Sequence, residues 1–399
     1  MNICSFYTFV IQNGNLTNKN LYNKIQSKQT ASLVVCLLML LFILLRATSL
    51  NAQTTKNKEK NENYFIETKV HYGFIIKHHK KIGHLQSGHF SAFELSAGFE
   101  TFGKNSWDKL YHYPTIGCAF WYSDLAKSSY LGSAYAFYPY MKFHLINQTK
   151  FASNLRFGIG LGYLSKKFDR YNNYKGVAIG SHINAAISLL FETSWKTNSQ
   201  LSINTGIGLT HFSNGAYNTP NLGINIPTLN VGSLWHLSKK QSKIIENPLP
   251  LQNKKYEFNT FIAFGVKEMY PPLSKKYFTC SYSEIFYKLN KHKSKYGLGL
   301  DFFYNTGNLT VLRLPTNDFN ANVSIIRIGV SLAYEQVYNH LSFLIQTGPY
   351  IRSRDKTDGS IYTRIGLRYA ISNHWYMNLS LKTHFGKADH IECGLGFKI

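Results

Sequence analysis

The run LSINTGIGLTHFSNG, residues 201–215, alternates with a period of two over its first thirteen positions. Leu201, Ile203, Thr205, Ile207, Leu209, His211 and Ser213 share one side, while Ser202, Asn204, Gly206, Gly208 and Thr210 share the other. Side chains of a β-strand repeat every second residue, so the run reads as a strand with one apolar face and one small, polar face. His211 and Ser213 close the apolar face as near neighbours. A base and a nucleophile therefore stand on a surface that otherwise suits lipid.

The same pattern recurs along the chain. Leu155, Phe157, Ile159, Leu161 and Tyr163 oppose Asn154, Arg156, Gly158, Gly160 and Gly162; Ile326, Ile328, Val330, Leu332 and Tyr334 oppose Arg327, Gly329, Ser331 and Ala333. Alternation of this kind predicts sixteen strands, starting near residues 64, 88, 115, 131, 150, 180, 200, 223, 254, 275, 294, 323, 339, 359, 374 and 389. The polar faces carry Gly, Ser and Arg, and aromatics gather at strand ends. An apolar outer band, aromatic girdles and a polar lumen describe a transmembrane antiparallel β-barrel, which must close because no strand edge can stay unpaired in hydrocarbon. With the amino terminus on the periplasmic side, the inner turns come out short (147–150, 197–200, 291–293) and the outer loops long (167–180, 307–321, 353–359). Inner connections at 104–114 and 239–254 break that rule, and the second splits the strands into two sets of eight. The fold class is thus all-β: one barrel of sixteen strands, or an eight-stranded barrel followed by a second eight-stranded unit.

Composition sets the compartment. The only long apolar run, residues 31–45, follows Lys19, Lys24 and Lys28 and precedes small residues, as in a secretory signal peptide. The domain reading is a signal peptide over 1–52, a polar tether over 53–63, a barrel half bearing the site over 64–240, a periplasmic connection over 241–253 and further barrel strands over 254–399. Net charge is +24, of which residues 1–52 hold four Lys and Arg and no acid. For an exported chain such a charge suits anionic lipid head groups and excludes nucleic acid as the partner. Cys118, Cys280 and Cys393 are scattered and odd in number, so they form neither a disulfide framework nor a metal set. Oligomeric state is left open.

In this topology the strand ending at Ser213 runs outward, placing the pair in the outer leaflet. The next strand sets Asn225, Pro227, Leu229, Val231, Ser233 and Trp235 on its more apolar face. Asn225 then faces His211 across the hairpin, and a nucleophile, a base and an orienting group converge on one lipid-facing patch. Cations of the outer loops, including Lys80, Lys81, Lys166, Lys167 and Arg170, are available to phosphates. The run Lys77-His78-His79-Lys80-Lys81 reads as a solvated outer loop.

His211-Phe212-Ser213-Asn214-Gly215 followed by Pro220-Asn221-x-Gly223 resembles the PagL-type outer-membrane lipid A 3-O-deacylases over residues 64–240. The resemblance implies a serine esterase that removes an ester-linked acyl chain from lipopolysaccharide in the outer leaflet; no cofactor and no metal site are read from the sequence. It assigns the nucleophile to Ser213, the base to His211, and oxyanion support to Asn214 and the Gly215 backbone. The family's third member is a glutamate; here the position is Asn225, with Asp169 of the preceding outer loop as a second candidate. Loss of a triad carboxylate costs on the order of 10⁴ in turnover, although an amide oxygen still accepts the ring N–H. Arg156, Arg327, Arg364 and Arg368 are expected to line or plug the lumen with acids such as Glu192 and Glu392; the competing readings are a selective pore or channel and a non-catalytic surface barrel on the same scaffold.

Overall fold

The computed structural model describes residues 63–399 apart from 87, 127–128, 238–253, 270–274 and 291–292. The expected signal peptide (1–52), the tether except Asn63, and the connection (241–253) lie outside the described residues. Eight strands, β1 (Asn63–Phe74), β2 (His89–Glu100), β3 (Thr115–Asp124), β4 (Ser133–Asn147), β5 (Phe151–Leu164), β6 (Ile183–Lys196), β7 (Leu201–Ser213) and β8 (Ile224–His236), close into one antiparallel barrel. The ring is sealed by β1 pairing with β8, Val70 opposite Val231. Eight more, β9 (Tyr256–Glu268), β10 (Lys276–Asn290), β11 (Ser294–Asn305), β12 (Arg327–Tyr338), β13 (Leu341–Arg352), β14 (Ile361–Ala370), β15 (Trp375–His384) and β16 (Lys387–Lys398), close a second, with Phe264 of β9 opposite Cys393 of β16. Among the described residues sixteen strands are present, in the second of the two arrangements the alternation permits. Every strand begins within four residues of its expected start.

Burial follows the pleat. In β1, Phe65, Glu67, Lys69 and His71 are buried inside the barrel, while Tyr64, Ile66, Val70 and Tyr72 are exposed outside. On the outer surface of the first barrel Tyr and Trp gather at the strand ends, Tyr64, Trp195 and Trp235 at one and Tyr72, Tyr122, Tyr135 and Tyr163 at the other, while Phe93, Phe120, Phe137 and Phe191 lie between them. This is the interfacial girdle of a membrane barrel.

Both lumens are filled. Inside the first barrel Arg156 makes a bidentate pair with Glu94, both bonds 2.7 Å, and Tyr138 donates to the same carboxylate. Lys69 lies 2.5 Å from Glu67 and 2.9 Å from Glu192, and Lys142 3.0 Å from Glu192. Inside the second, Arg364 bridges Glu392 and Asp301, Arg368 pairs with Glu335 at 2.8 Å, and Lys382 with Asp389 at 2.9 Å. The arginines expected in the lumen are there, although Arg156 takes Glu94 as its partner while Glu192 serves the two lysines. Buried charges have to be paired in this way because an unpaired one in a low-dielectric interior is too costly.

The long inner connection at 101–114 has a structural reason. It folds into a short helix, Ser106–Leu110, and presents Tyr111 to the second barrel. The Tyr111 hydroxyl lies within hydrogen-bonding distance of the Lys293 and Val337 carbonyl oxygens, at 2.9 and 2.5 Å, and its ring packs on Tyr338 at 4.4 Å. Phe157 of β5 meets Phe343 of β13 edge-on at 6.1 Å. The two barrels therefore touch here through aromatic side chains.

Candidate active site

The site grows from the β7–β8 hairpin. Register places His211 directly opposite Asn225, and both project from the outer face because Phe212 points inward onto Trp121. His211 Nδ1 and Asn225 Oδ1 are 2.6 Å apart. An amide oxygen only accepts, so Nδ1 carries the proton and Nε2 is left as the basic nitrogen. Ser213 lies two residues on, on the same face, and is 9% exposed. No hydrogen bond joins its Oγ to His211 among the described residues; such contacts commonly tighten only when substrate is bound.

His78 completes the arrangement and was not singled out from sequence, where it sat inside a basic loop. Its Nε2 is 2.9 Å from the Leu222 carbonyl and its Nδ1 is 3.2 Å from Asn225 Nδ2. With Nε2–H donating to Leu222, Nδ1 accepts from the Asn225 amide. That turns the amide oxygen toward His211, a polarity the amide could not set by itself. The only signal available in the sequence was a histidine near the end of β1, the strand that pairs with β8.

The loop after Ser213 is held by its polar residues. Asn221 Oδ1 accepts the Asn214 N–H at 3.0 Å, and Asn214 Nδ2 donates to Ser181 Oγ at 2.7 Å, which in turn donates to Asn184 Oδ1 at 2.9 Å. Thr219–Pro220 is cis. The N–H groups of Leu222 and Gly223 both reach the Ala178 carbonyl, at 2.9 and 3.0 Å. Gly223 has φ +80° and a Cβ there would stand 2.9 Å from His211 Cε1, so glycine is required for the ring to sit where it does. Gly215, at φ +61°, is in the left-handed region, and its N–H has no hydrogen-bond partner among the described residues.

Other expected residues are placed differently. Asp169 is not brought to His211: its Oδ1 accepts from Asn172 N at 2.7 Å and Tyr171 N at 2.9 Å, closing a turn in the outer loop. Those amide donors, Asn172 first, hold its carboxyl below the usual carboxylate range. Lys166, Lys167 and Arg170 are exposed on the same loop, and the Lys166 ammonium rests on the Ser129 carbonyl at 2.8 Å. Below the pair the barrel wall is bare and apolar, with Leu189, Leu209, Leu229 and Val231 exposed.

Two family models match the chain. Residues 91–233 match lipid A 3-O-deacylase (PagL), and residues 255–399 match the acyloxyacyl hydrolase C-terminal domain, one for each barrel. No curated protein matches. Among solved structures, Neisserial surface protein A is 11% identical, covering 44% of this chain and 97% of that one at a TM-score of 0.32. The outer membrane enzyme PagL is 15% identical, covering 42% and 97% at 0.28. The assignment rests on the two sequence families, matched in order along two membrane barrels: the chain belongs to the PagL family of outer-membrane lipid A deacylases and is an integral protein of the outer membrane.

Proposed function

We propose that the chain is a serine esterase that removes the 3-O-linked acyl chain of lipid A, with Ser213 as nucleophile, His211 as base and Asn225 as the group that orients the imidazole. Ser213 Oγ attacks the ester carbonyl while His211 Nε2 takes the hydroxyl proton. The resulting oxyanion is met by the free N–H of Gly215 in the turn that Asn214 anchors, the interaction that usually contributes most. Collapse expels the sugar hydroxyl, which receives the proton from His211. Water then enters by the reverse sequence and releases the fatty acid, restoring Ser213.

One observation carries this reading: the 2.6 Å contact of His211 Nδ1 with Asn225 Oδ1, on the lipid-facing side of the barrel. It sets the imidazole tautomer with its free nitrogen available to the strand's own serine. A substrate anchored by its acyl chains in the outer leaflet reaches that face without leaving the membrane, its chains along Leu209 and Leu229, its phosphates near Lys166, Lys167 and Arg170. A pore has no comparable support, because paired side chains occupy both lumens. The test is expression in a Gram-negative host followed by mass spectrometry of its lipid A. Wild type should yield molecules short of one 3-O-linked hydroxyacyl chain and Ser213→Ala should not; unaltered lipid A in the wild type would reject the proposal.

A further inference from the structure

The loop that follows Ser213 is held from two sides, and one of them is the second barrel. On the near side stand Ser181, Asn221 and Ala178 of the first barrel, already described. On the far side the outer ends of β9 and β10 reach it. The Glu268 N–H donates to the Ala216 carbonyl at 2.9 Å, and Glu268 Oε2 accepts the Thr219 N–H at 2.8 Å. Lys276 donates to the Tyr217 carbonyl and to Asn218 Oδ1, its ammonium lying 4.2 Å from the centre of the Tyr217 ring and 3.8 Å from Glu268. A Cβ on Gly215 would strike Ile391, 2.4 Å away on the outer wall of β16. Residues 215–219 are therefore seated in a cradle made by the other domain.

We infer that the second barrel is a positioning element for the esterase site, and that Glu268 is its central contact. Gly215 and Ala216 are consecutive left-handed residues, at φ +61° and +60°. Ala216 carries a Cβ, for which that conformation is unfavourable, and it persists only where surrounding structure holds it. Glu268 grips the backbone immediately after that point, at Ala216 O through its own N–H and at Thr219 N through its carboxylate. The turn so fixed aims the Gly215 N–H. Donors for an oxyanion work when they are aimed before the charge appears, so releasing the grip lowers turnover more than substrate affinity. Because the bond to Thr219 needs an acceptor and not a charge, a glutamine serves at 268 and an alanine does not. Glu268 and Lys276 touch no part of the proposed reacting set; they act through the loop. The inference rests on the esterase reading of the preceding subsection, and its test separates the two.

The experiment uses the full chain in detergent micelles with purified lipid A, comparing wild type, Glu268→Ala and Glu268→Gln after each is shown folded by heat-modifiable gel mobility. Glu268→Ala should lower kcat about 10- to 100-fold, the scale set by misplacing a catalytic group by about an ångström. Its KM should move by less than about threefold, since uniform binding is left intact. Glu268→Gln should recover most of the rate. Amide hydrogen exchange of the same proteins should show faster exchange at Thr219 in Glu268→Ala only. Wild type that deacylates lipid A while Glu268→Ala matches it overturns the inference and leaves the esterase reading standing. Inactive wild type overturns the esterase reading, and with it the catalytic role of the second barrel. Unchanged exchange at Thr219 in Glu268→Ala overturns the grip itself, whatever the activity.

Discussion

Asn225→Asp is the substitution that bears most directly on the orienting group. Asparagine and aspartate have the same shape, so one carboxylate oxygen takes the place of Oδ1, 2.6 Å from His211 Nδ1, and the other that of Nδ2, 3.2 Å from His78 Nδ1. The transition state puts a positive charge on the imidazole, about 4 Å from the centre of the new negative one. Two unit charges at that distance attract by about 1 kcal/mol in water and about 4 kcal/mol at the effective dielectric of a protein surface. His211 is half-buried at the membrane boundary, so a value near 2–3 kcal/mol is appropriate, which is roughly 100-fold in rate. His78 adapts by switching tautomer, donating from Nδ1 to the carboxylate and releasing the Leu222 carbonyl. Steady-state deacylation by purified enzyme should therefore show Asn225→Asp about 100 times faster than wild type in kcat, and Asn225→Leu slower than wild type. The orienting role is refuted if Asn225→Leu keeps the wild-type rate, or if Asn225→Asp is no faster in a folded protein.

Three further outcomes are expected. Replacing Arg156 by Met strands Glu94 inside the first barrel; loss of one partner of a buried pair costs about 3–5 kcal/mol, read as a lower urea midpoint, and adding Glu94→Gln should restore most of it. In planar bilayers the wild type should show no stable conductance steps, because paired side chains fill both lumens; porin-like steps would contradict that packing. Tyr111→Phe removes a hydroxyl that shares its one proton between the Lys293 and Val337 carbonyls and accepts from Gln336 Nε2, at about 1 kcal/mol for the donated and for the accepted bond. Limited proteolysis should then cut the 101–114 connection about 5- to 30-fold faster, and an unchanged rate would mean that the contact does not hold it.

Much of the fold can be read along the chain because a membrane barrel writes its two faces into every strand. Ile207 and Leu209 against Asn204 and Thr210 reveal which side meets lipid, and the starts of all sixteen strands follow from such pairs. Closure cannot be read that way. Whether β8 returns to β1 or continues to β9 depends on the pairing of Val70 with Val231, residues far apart in sequence, and on which buried cation meets which acid. Alternation is the same for one ring of sixteen and two of eight. The connection after β8 marked the break, whereas the long turn at 104–114 stood out only as an exception to the loop-length rule, and its contact with the second barrel is non-local.

The site divides likewise. His211, Ser213 and Asn225 are neighbours through strand period and hairpin register, both local, so sequence reasoning could set them together. His78 reaches Asn225 only because β1 closes the ring beside β8, a non-local contact that alternation does not encode. Glu268 and Lys276 meet the loop only through the apposition of two barrels. Asp169 fails as the third member for an equally physical reason: two backbone amides of its own turn already hold its carboxylate.

The most direct test is chemical labelling of the proposed nucleophile. Full-length protein in micelles is treated with an alkyl phosphonofluoridate and digested, and its peptides are mapped by mass spectrometry. A single adduct on Ser213, lost in His211→Ala and blocked by prior incubation with lipid A, is the predicted result. An unmodified Ser213 in a preparation that deacylates lipid A would contradict the account.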